Sequence, residues 1–443
     1  MFPHEYFAQA PLPAAAPDAL RGSNRDYKDP TGPDLLGRTG GFLDWQQARR
    51  QAGYWPYSRS LEAAPQASTQ IKDCRGQAQQ GLNFASQDYL SLANSEEIKD
   101  VAIDAIRHYG VHSAGSAAML GNTKLSLQLE AALAELLATE HVTLFPTGWA
   151  AGYGVSRGLV RTDDYILMDM LSNSCLQEGA YAATSKVSLY RHLNVEHLRL
   201  LLERIRKHDT QNAIMVITEG LFSMESDSPD IAQFQAVCTE YAATLVVDVA
   251  HDLGAMGPGG TGQIGLQGML GKVDLVVGSF SKSFASNGGF VASRHASVKQ
   301  FLKTFSPSQT FSNALSPSQA AVALKTTEII RSSRGDTLRT ALMRNIVSLR
   351  QNLEAHGLHA MGTPSPIVPV LIGREDHARI TASLLPGNGV MSILAEFPAV
   401  PQDQARLRMQ VMAMHTLADT AHAAQGVANA MAEGKALHPH ALR

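Results

Sequence analysis

Three stretches constrain the fold of this chain more than anything else: "NAIMVITEGLF" (212–222), "ATLVVDVAH" (243–251) and "VDLVVGSFSK" (273–282). Each is a nearly unbroken apolar run rich in β-branched residues. Such runs suit strands buried on both faces, as in a parallel sheet. "DIAQFQAVCTEYAA" (230–243) has helical spacing and joins the first two, which makes a crossover unit. The prediction is an α/β fold: a mostly parallel central sheet flanked by helices, with a smaller α+β C-terminal domain.

The remaining pattern divides the 443 residues into an N-terminal arm (1–80), a large domain (81–320) and a small C-terminal domain (321–443). Helices are expected at about 42–52, at 95–110 with Ser95 as cap and Gly110 as stop, and at 124–138 and 340–357. "HVTLFPTGWAAG" (141–152) reads as a strand running into a Thr-Gly turn. "SPIVPVLIG" (365–373) and "QARLRMQVMAM" (404–414) read as strands of the small domain. The arm is rich in Pro, Ala and Gly, so its first thirty residues read as exposed and disordered. Trp55 and Tyr57 offer the alternative, an arm docked on the body or on a second subunit.

A net charge of −3 gives no electrostatic case for nucleic acid or an anionic membrane. Cys74, Cys175 and Cys238 are too few and too scattered for a disulfide framework or a zinc cluster. No apolar run reaches the ~18 residues of a membrane span. The N-terminus lacks a basic segment followed by an apolar core. A cytoplasmic location is expected.

The three central strands deliver polar groups to one edge: Glu219 and Ser223, then Asp248 and His251, then Ser279, Ser281 and Lys282. In open α/β sheets, ligands bind beyond the carboxyl ends of the strands. Burying so many ionisable groups together is costly unless something pairs them. A cofactor with a ring nitrogen, a phenolic oxygen, an aldehyde and a phosphate would pair them all, and pyridoxal 5'-phosphate (PLP) has those groups. Lys282 can form a Schiff base with the aldehyde, and Asp248 can keep the ring nitrogen protonated. His251 can reach the phenolic oxygen. Thr147, Gly148 and Trp149 form a turn suited to phosphate, as do the hydroxyls of Ser279 and Ser281. Taken singly, each of these residues has a plain structural use; their order and spacing carry the reading.

These residues also carry a resemblance. The chain resembles the α-oxoamine synthases, fold-type I PLP enzymes that include serine palmitoyltransferase, 8-amino-7-oxononanoate synthase and 2-amino-3-ketobutyrate ligase. Nine collinear segments over about 81–430 support it, among them "SQDYLSL", "TGWAAG", "ITEGLFSMESDSP", "VDVAHDLGAMGPGGTG", "GSFSKSFASNGGFVA", "TFSNALSP" and "EFPAVPQDQARLRMQVMAMHT". The resemblance implies that Lys282 carries the cofactor and moves protons at the substrate carbon. It implies that Asp248 pairs with the ring nitrogen, and that His251 and Ser223 meet the phenolic oxygen. Ser279 stands where the family has threonine against the phosphate. Ser312 matches a position that reaches the neighbouring subunit's phosphate, which implies a homodimer with sites at its interface. Arg408 matches the residue that holds the amino acid carboxylate, a task suited to a bidentate guanidinium.

The implied reaction condenses an α-amino acid with an acyl thioester, from acyl-CoA or an acyl carrier protein, usually with loss of carbon dioxide. Another fold-type I reaction (aminotransferase or aldol-type lyase) and a catalytically impaired regulatory subunit are the alternatives. The chain departs from the family pattern in three places. Asn173 replaces a ring-stacking histidine and Val249 an acidic residue. Gly115-Ser116-Ala117 lacks an arginine used by some members. The segment "LAEFPAVP" around Glu396 resembles the serine palmitoyltransferase and ketobutyrate ligase forms more than the oxononanoate synthase form, which has arginine nearby.

Overall fold

The computed structural model describes residues 17–73 and 75–437, so Cys74 lies outside the described residues. The described chain divides into two compact units. One holds the residues up to Ser86, then Met224–Ser226, then everything from Leu342 onward; the other holds Gln87–Ser223 and Asp227–Ala341.

In the first unit, β1 (Ser60–Leu61), β2 (Ser68–Lys72) and β3 (Ala78–Asn83) form an antiparallel meander. The second unit contains β4 (His141–Phe145), β5 (Tyr165–Asp169), β6 (Val187–Tyr190), β7 (Ile214–Glu219), β8 (Thr244–Asp248), β9 (Leu275–Ser279) and β10 (Gly289–Ser293). They form one sheet in the order β4-β10-β9-β8-β7-β5-β6. β10 is antiparallel to both neighbours, and the other pairs are parallel. The three apolar runs become β7, β8 and β9, each trimmed at its polar end where the chain turns toward the site. Every residue of β7 and β9 is buried, as two-sided packing requires.

The first unit continues with β11 (Ile367–Gly373), β12 (Val390–Met391), β13 (Ile393–Ala395) and β14 (Ala405–Gln410). β11, β14 and β13 make a small antiparallel sheet. β12 joins the meander by parallel pairing of Val390 with Leu82. The N-terminal and C-terminal segments therefore share a unit, where the sequence suggests separate pieces with boundaries at 80 and 320. Strand pairing across some three hundred residues leaves no trace in local pattern.

Much of the arm is ordered, contrary to the disorder expected of the first thirty residues. Residues 1–16 lie outside the described residues. Pro17–Leu20 and Asn24–Tyr27 form 3₁₀ turns, and Gly40–Gln51 forms a helix. Arg379 donates to the carbonyl oxygens of Leu20 and, at 2.6 Å, Gly22. Trp45 stacks on Tyr27 and meets Trp55 edge-on, with centroids 5.0 and 5.8 Å apart. Tyr57 Oη donates to Glu396 at 3.2 Å. Of the two readings, Trp55 and Tyr57 dock the arm onto its own chain. The composition that suggested disorder is outweighed by these aromatic rings and a buried arginine–glutamate pair.

Candidate active site

β7 and β8 pair so that Glu219 lies directly beside Asp248. Both carboxylates are buried at the carboxyl end of the sheet. Burial pushes the Glu219 carboxyl well above its usual range, and the Asp248 charge beside it adds to the rise. Burial also raises Asp248, against the Lys282 charge and a 2.8 Å hydrogen bond from the Ala250 N–H. Two adjacent buried acids cannot both ionise cheaply without a cation. The Lys282 charge acts on both of them and on Cys175, so the edge places these four groups together.

Lys282 follows β9 in a tight turn. Phe280 and Phe284, both fully buried with centroids 5.4 Å apart, anchor that turn on either side of the half-buried lysine. The Phe280 N–H donates to the Gly288 carbonyl at 2.9 Å, and the Ser286 N–H to the Phe280 carbonyl at 3.1 Å. The lysine is thus carried by a loop whose backbone is pinned at its base.

Next to it, Ser279 Oγ and Ser281 Oγ are 2.8 Å apart. The helix Gly148–Leu159 begins against them: a Cβ at Gly148 would overlap the Ser279 side chain. Thr147 caps this helix, its Oγ1 accepting from the Ala150 N–H at 3.0 Å. A helix N-terminus and two hydroxyls make a set of donors suited to a phosphate. The Trp149 ring is about half exposed and stacks on Tyr153 at 5.2 Å.

Asn173 caps the helix Ser174–Ala183, its Oδ1 accepting from the Cys175 N–H at 3.1 Å, while its own N–H donates to Glu219 at 2.5 Å. Its amide is therefore occupied in shaping the turn. His251 is buried, with Nδ1 2.9 Å from the hydroxyl of the fully buried Tyr89. Tyr89 was not singled out from the sequence. Its segment, "SQDYLSL", shows no periodicity that separates a site tyrosine from a core one.

The half-buried Ser223 lies beyond β7, in the loop that the Phe222 N–H closes by donating to the Asp227 carbonyl at 2.9 Å. Ser312 lies in the turn after helix Pro307–Thr310, a segment tied down by the Ala314 N–H donating to the Gly115 carbonyl at 2.9 Å. Arg408 belongs to the other compact unit. It is buried in β14 between Pro369 and Ile393. The buried acid opposite a lysine, the phenol-backed histidine and the serine-lined helix start match the ring nitrogen, phenolic oxygen, aldehyde and phosphate of PLP.

A family model described as "Aminotransferase class I and II" matches residues 79–427. The chain is 33% identical over 367 residues to a serine palmitoyltransferase of Sphingobacterium spiritivorum, covering 83% of this chain and 89% of that protein. It is 31% identical over 388 residues to an 8-amino-7-oxononanoate synthase of Geotalea daltonii, covering 88% and 97%. The serine palmitoyltransferase structure from Sphingomonas wittichii superposes with a TM-score of 0.84 at 25% identity, covering 91% of this chain and 99% of the other. One solved with PLP as its internal aldimine gives the same TM-score at 26% identity, covering 91% and 99%. The chain belongs to the aminotransferase class I and II family and, within it, to the PLP-dependent α-oxoamine synthases.

Proposed function

We propose that this chain condenses an α-amino acid with an acyl thioester at the edge formed by Asp248, Glu219 and Lys282, losing carbon dioxide to give an α-oxoamine. The observation that carries this reading is Lys282, seated directly after β9, with its charge acting on two buried acids at the ends of β7 and β8. Bound PLP supplies an electron sink for the negative charge that develops at the substrate α-carbon.

The chain's own residues supply the rest. With PLP bound, the Lys282 amine would hold it at its aldehyde carbon and, when free, would move the proton at the substrate α-carbon. Asp248 would pair with the protonated ring nitrogen, a cation that would offset the cost of burying its carboxylate. His251 and Ser223 address the phenolic oxygen. The Thr147–Trp149 turn with Ser279 and Ser281 takes the phosphate. Arg408 grips the substrate carboxylate and sets which bond at the α-carbon is aligned for cleavage. Asn173 would border the cofactor ring, on a turn that Glu219 holds by accepting from its N–H.

We place the protein in the cytoplasm as a homodimer. Among the described residues no helix is long and apolar enough to cross a membrane. Val111, Met119, Leu120 and Phe311 are all more than 70% exposed. They lie on two segments joined by the Ala314–Gly115 hydrogen bond, and Ser312 sits beside Phe311. A monomer seldom leaves such large side chains in water together, and a second copy would cover them. Sedimentation equilibrium reads the dimer directly.

A matrix of amino acids against acyl-CoAs and acyl carrier proteins, read by thiol release, tests the function. Thiol release with at least one pair is expected, and Lys282→Ala should abolish both it and the near-visible absorbance of the bound cofactor. Keto acid formed from amino acid alone, with no thiol released from any donor, would mean an aminotransferase instead. No turnover of either kind would mean a regulatory subunit.

A further inference from the structure

His192 follows β6 and is held from both sides. Its Nδ1 lies 2.9 Å from Asp169 Oδ1, and its Nε2 lies 3.1 Å from Asp227 Oδ2. Two nitrogens facing two carboxylates must both donate, which makes the ring an imidazolium. Burial works against that charge, but the hydrogen bonds and charges of Asp169 and Asp227 outweigh it and raise the pKa to about 10. The Phe222 ring packs edge-on against the imidazole, with centroids 4.6 Å apart.

Each of the two aspartates holds a loop, Asp169 by its carboxylate and Asp227 by its backbone carbonyl. Asp169 ends β5, is fully buried, and accepts from the Leu171 N–H at 2.9 Å, so it starts the turn that presents Asn173. Its other oxygen accepts from the Leu193 N–H at 2.9 Å. Leu193 has φ +53°, a left-handed conformation that is strained for a leucine. Such strain persists only where surrounding contacts over-determine it, and the Asp169 bond adjoining His192 is one of them. Asp227, through its carbonyl, closes the loop that presents Ser223. The Asp169 charge also reaches Glu219, so the bridge borders the proposed cofactor edge.

We propose that His192 is a positioning residue whose bridge between Asp169 and Asp227 sets the separation of the Asn173 turn and the Ser223 loop, and through them the grip on the cofactor. This rests on the PLP reading of the same edge. The residue is not catalytic: it touches two carboxylates and a phenylalanine ring, and it acts through the loops they hold.

The test uses His192→Gln and the milder Asp227→Asn, each with and without PLP. In the PLP-free protein, amide exchange at Leu171, Asn173, Leu193 and Phe222 should speed up by about tenfold in His192→Gln, while amides in β8 are unchanged. Asp227→Asn should shift the same amides in the same direction by less, and it serves if His192→Gln does not fold. In the loaded protein, the Kd for PLP should rise by about tenfold, since small misplacements at such sites carry large costs. Unchanged exchange at those four amides in the folded variants would overturn the proposal. A wild-type protein that takes up no PLP would instead overturn the functional reading, and the exchange result would still stand.

Discussion

The hydroxyl of Tyr89 and Nδ1 of His251 are 2.9 Å apart, and both side chains are buried. The bond holds the imidazole ring by its Nδ1 edge. The hold on His251, proposed above to address the phenolic oxygen, thus comes from a residue more than a hundred and fifty positions away.

Replacing Tyr89 with Phe keeps the packing and removes that bond. The expected loss is about 1 kcal/mol, or roughly fivefold in kcat. The Kd for PLP should change less, because the residues proposed to take the phosphate and the aldehyde are untouched. Steady-state kinetics beside an absorbance titration separates the two; an unchanged kcat would remove Tyr89 from the site.

Gly148 touches Ser279 where the helix Gly148–Leu159 begins. Gly148→Ala puts a methyl group among the proposed phosphate donors, a close-packed site where added volume is not absorbed. PLP affinity should fall by more than about tenfold, with the far-UV circular dichroism unchanged. Wild-type affinity in this variant would place the phosphate elsewhere.

Asp252 is fully buried, and burial, opposed by the Gln263 N–H at 2.7 Å, raises its pKa to about 7. Among the described residues its Oδ1 has no hydrogen-bond partner. A folded-state pKa above the unfolded value of about 3.9 means that the native state holds the proton more tightly. Stability from this group is complete below pH 4 and is lost as pH rises toward 7. Asp252→Asn should therefore melt higher than wild type at pH 8, and the gain should shrink or vanish at pH 5. A gain independent of pH would contradict this.

Arg49 Nη1 lies 3.2 Å from Glu396 Oε1, Arg379 Nε lies 2.6 Å from Oε2, and all three side chains are buried. The Arg49 guanidinium also lies over Trp45 and Trp55, at 4.8 and 5.3 Å from the ring centroids. Arg49→Ala breaks a buried pair from one side, which costs about 3–5 kcal/mol. Urea unfolding should show that loss. A change below about 1 kcal/mol would mean that the arm is not held by this pair.

The central strands and most of the candidate site residues were legible in the chain because both are local. A buried parallel strand must be apolar throughout, so β7, β8 and β9 stand out. The polar residues closing them fall at the ligand-binding edge by chain direction alone. Lys282, Asp248, His251 and Ser279 could be named from that rule together with the chemistry of one cofactor.

What the tertiary structure decided was every relationship between distant residues. The partnering of Tyr89 with His251, the bridging of Asp169 and Asp227 by His192, and the meeting of Arg49 with Glu396 all depend on how separate segments are brought together. The order seen in residues 17–60 has the same origin. A Pro- and Ala-rich segment has little local preference for structure, and its aromatic rings and Arg49 gain a stable place only when Glu396, just after β13, supplies a carboxylate and Arg379 of the helix Glu375–Leu384 donates to the carbonyls of Leu20 and Gly22. Periodicity reports what each segment buries; which segment it is buried against is settled by the packing of the whole unit.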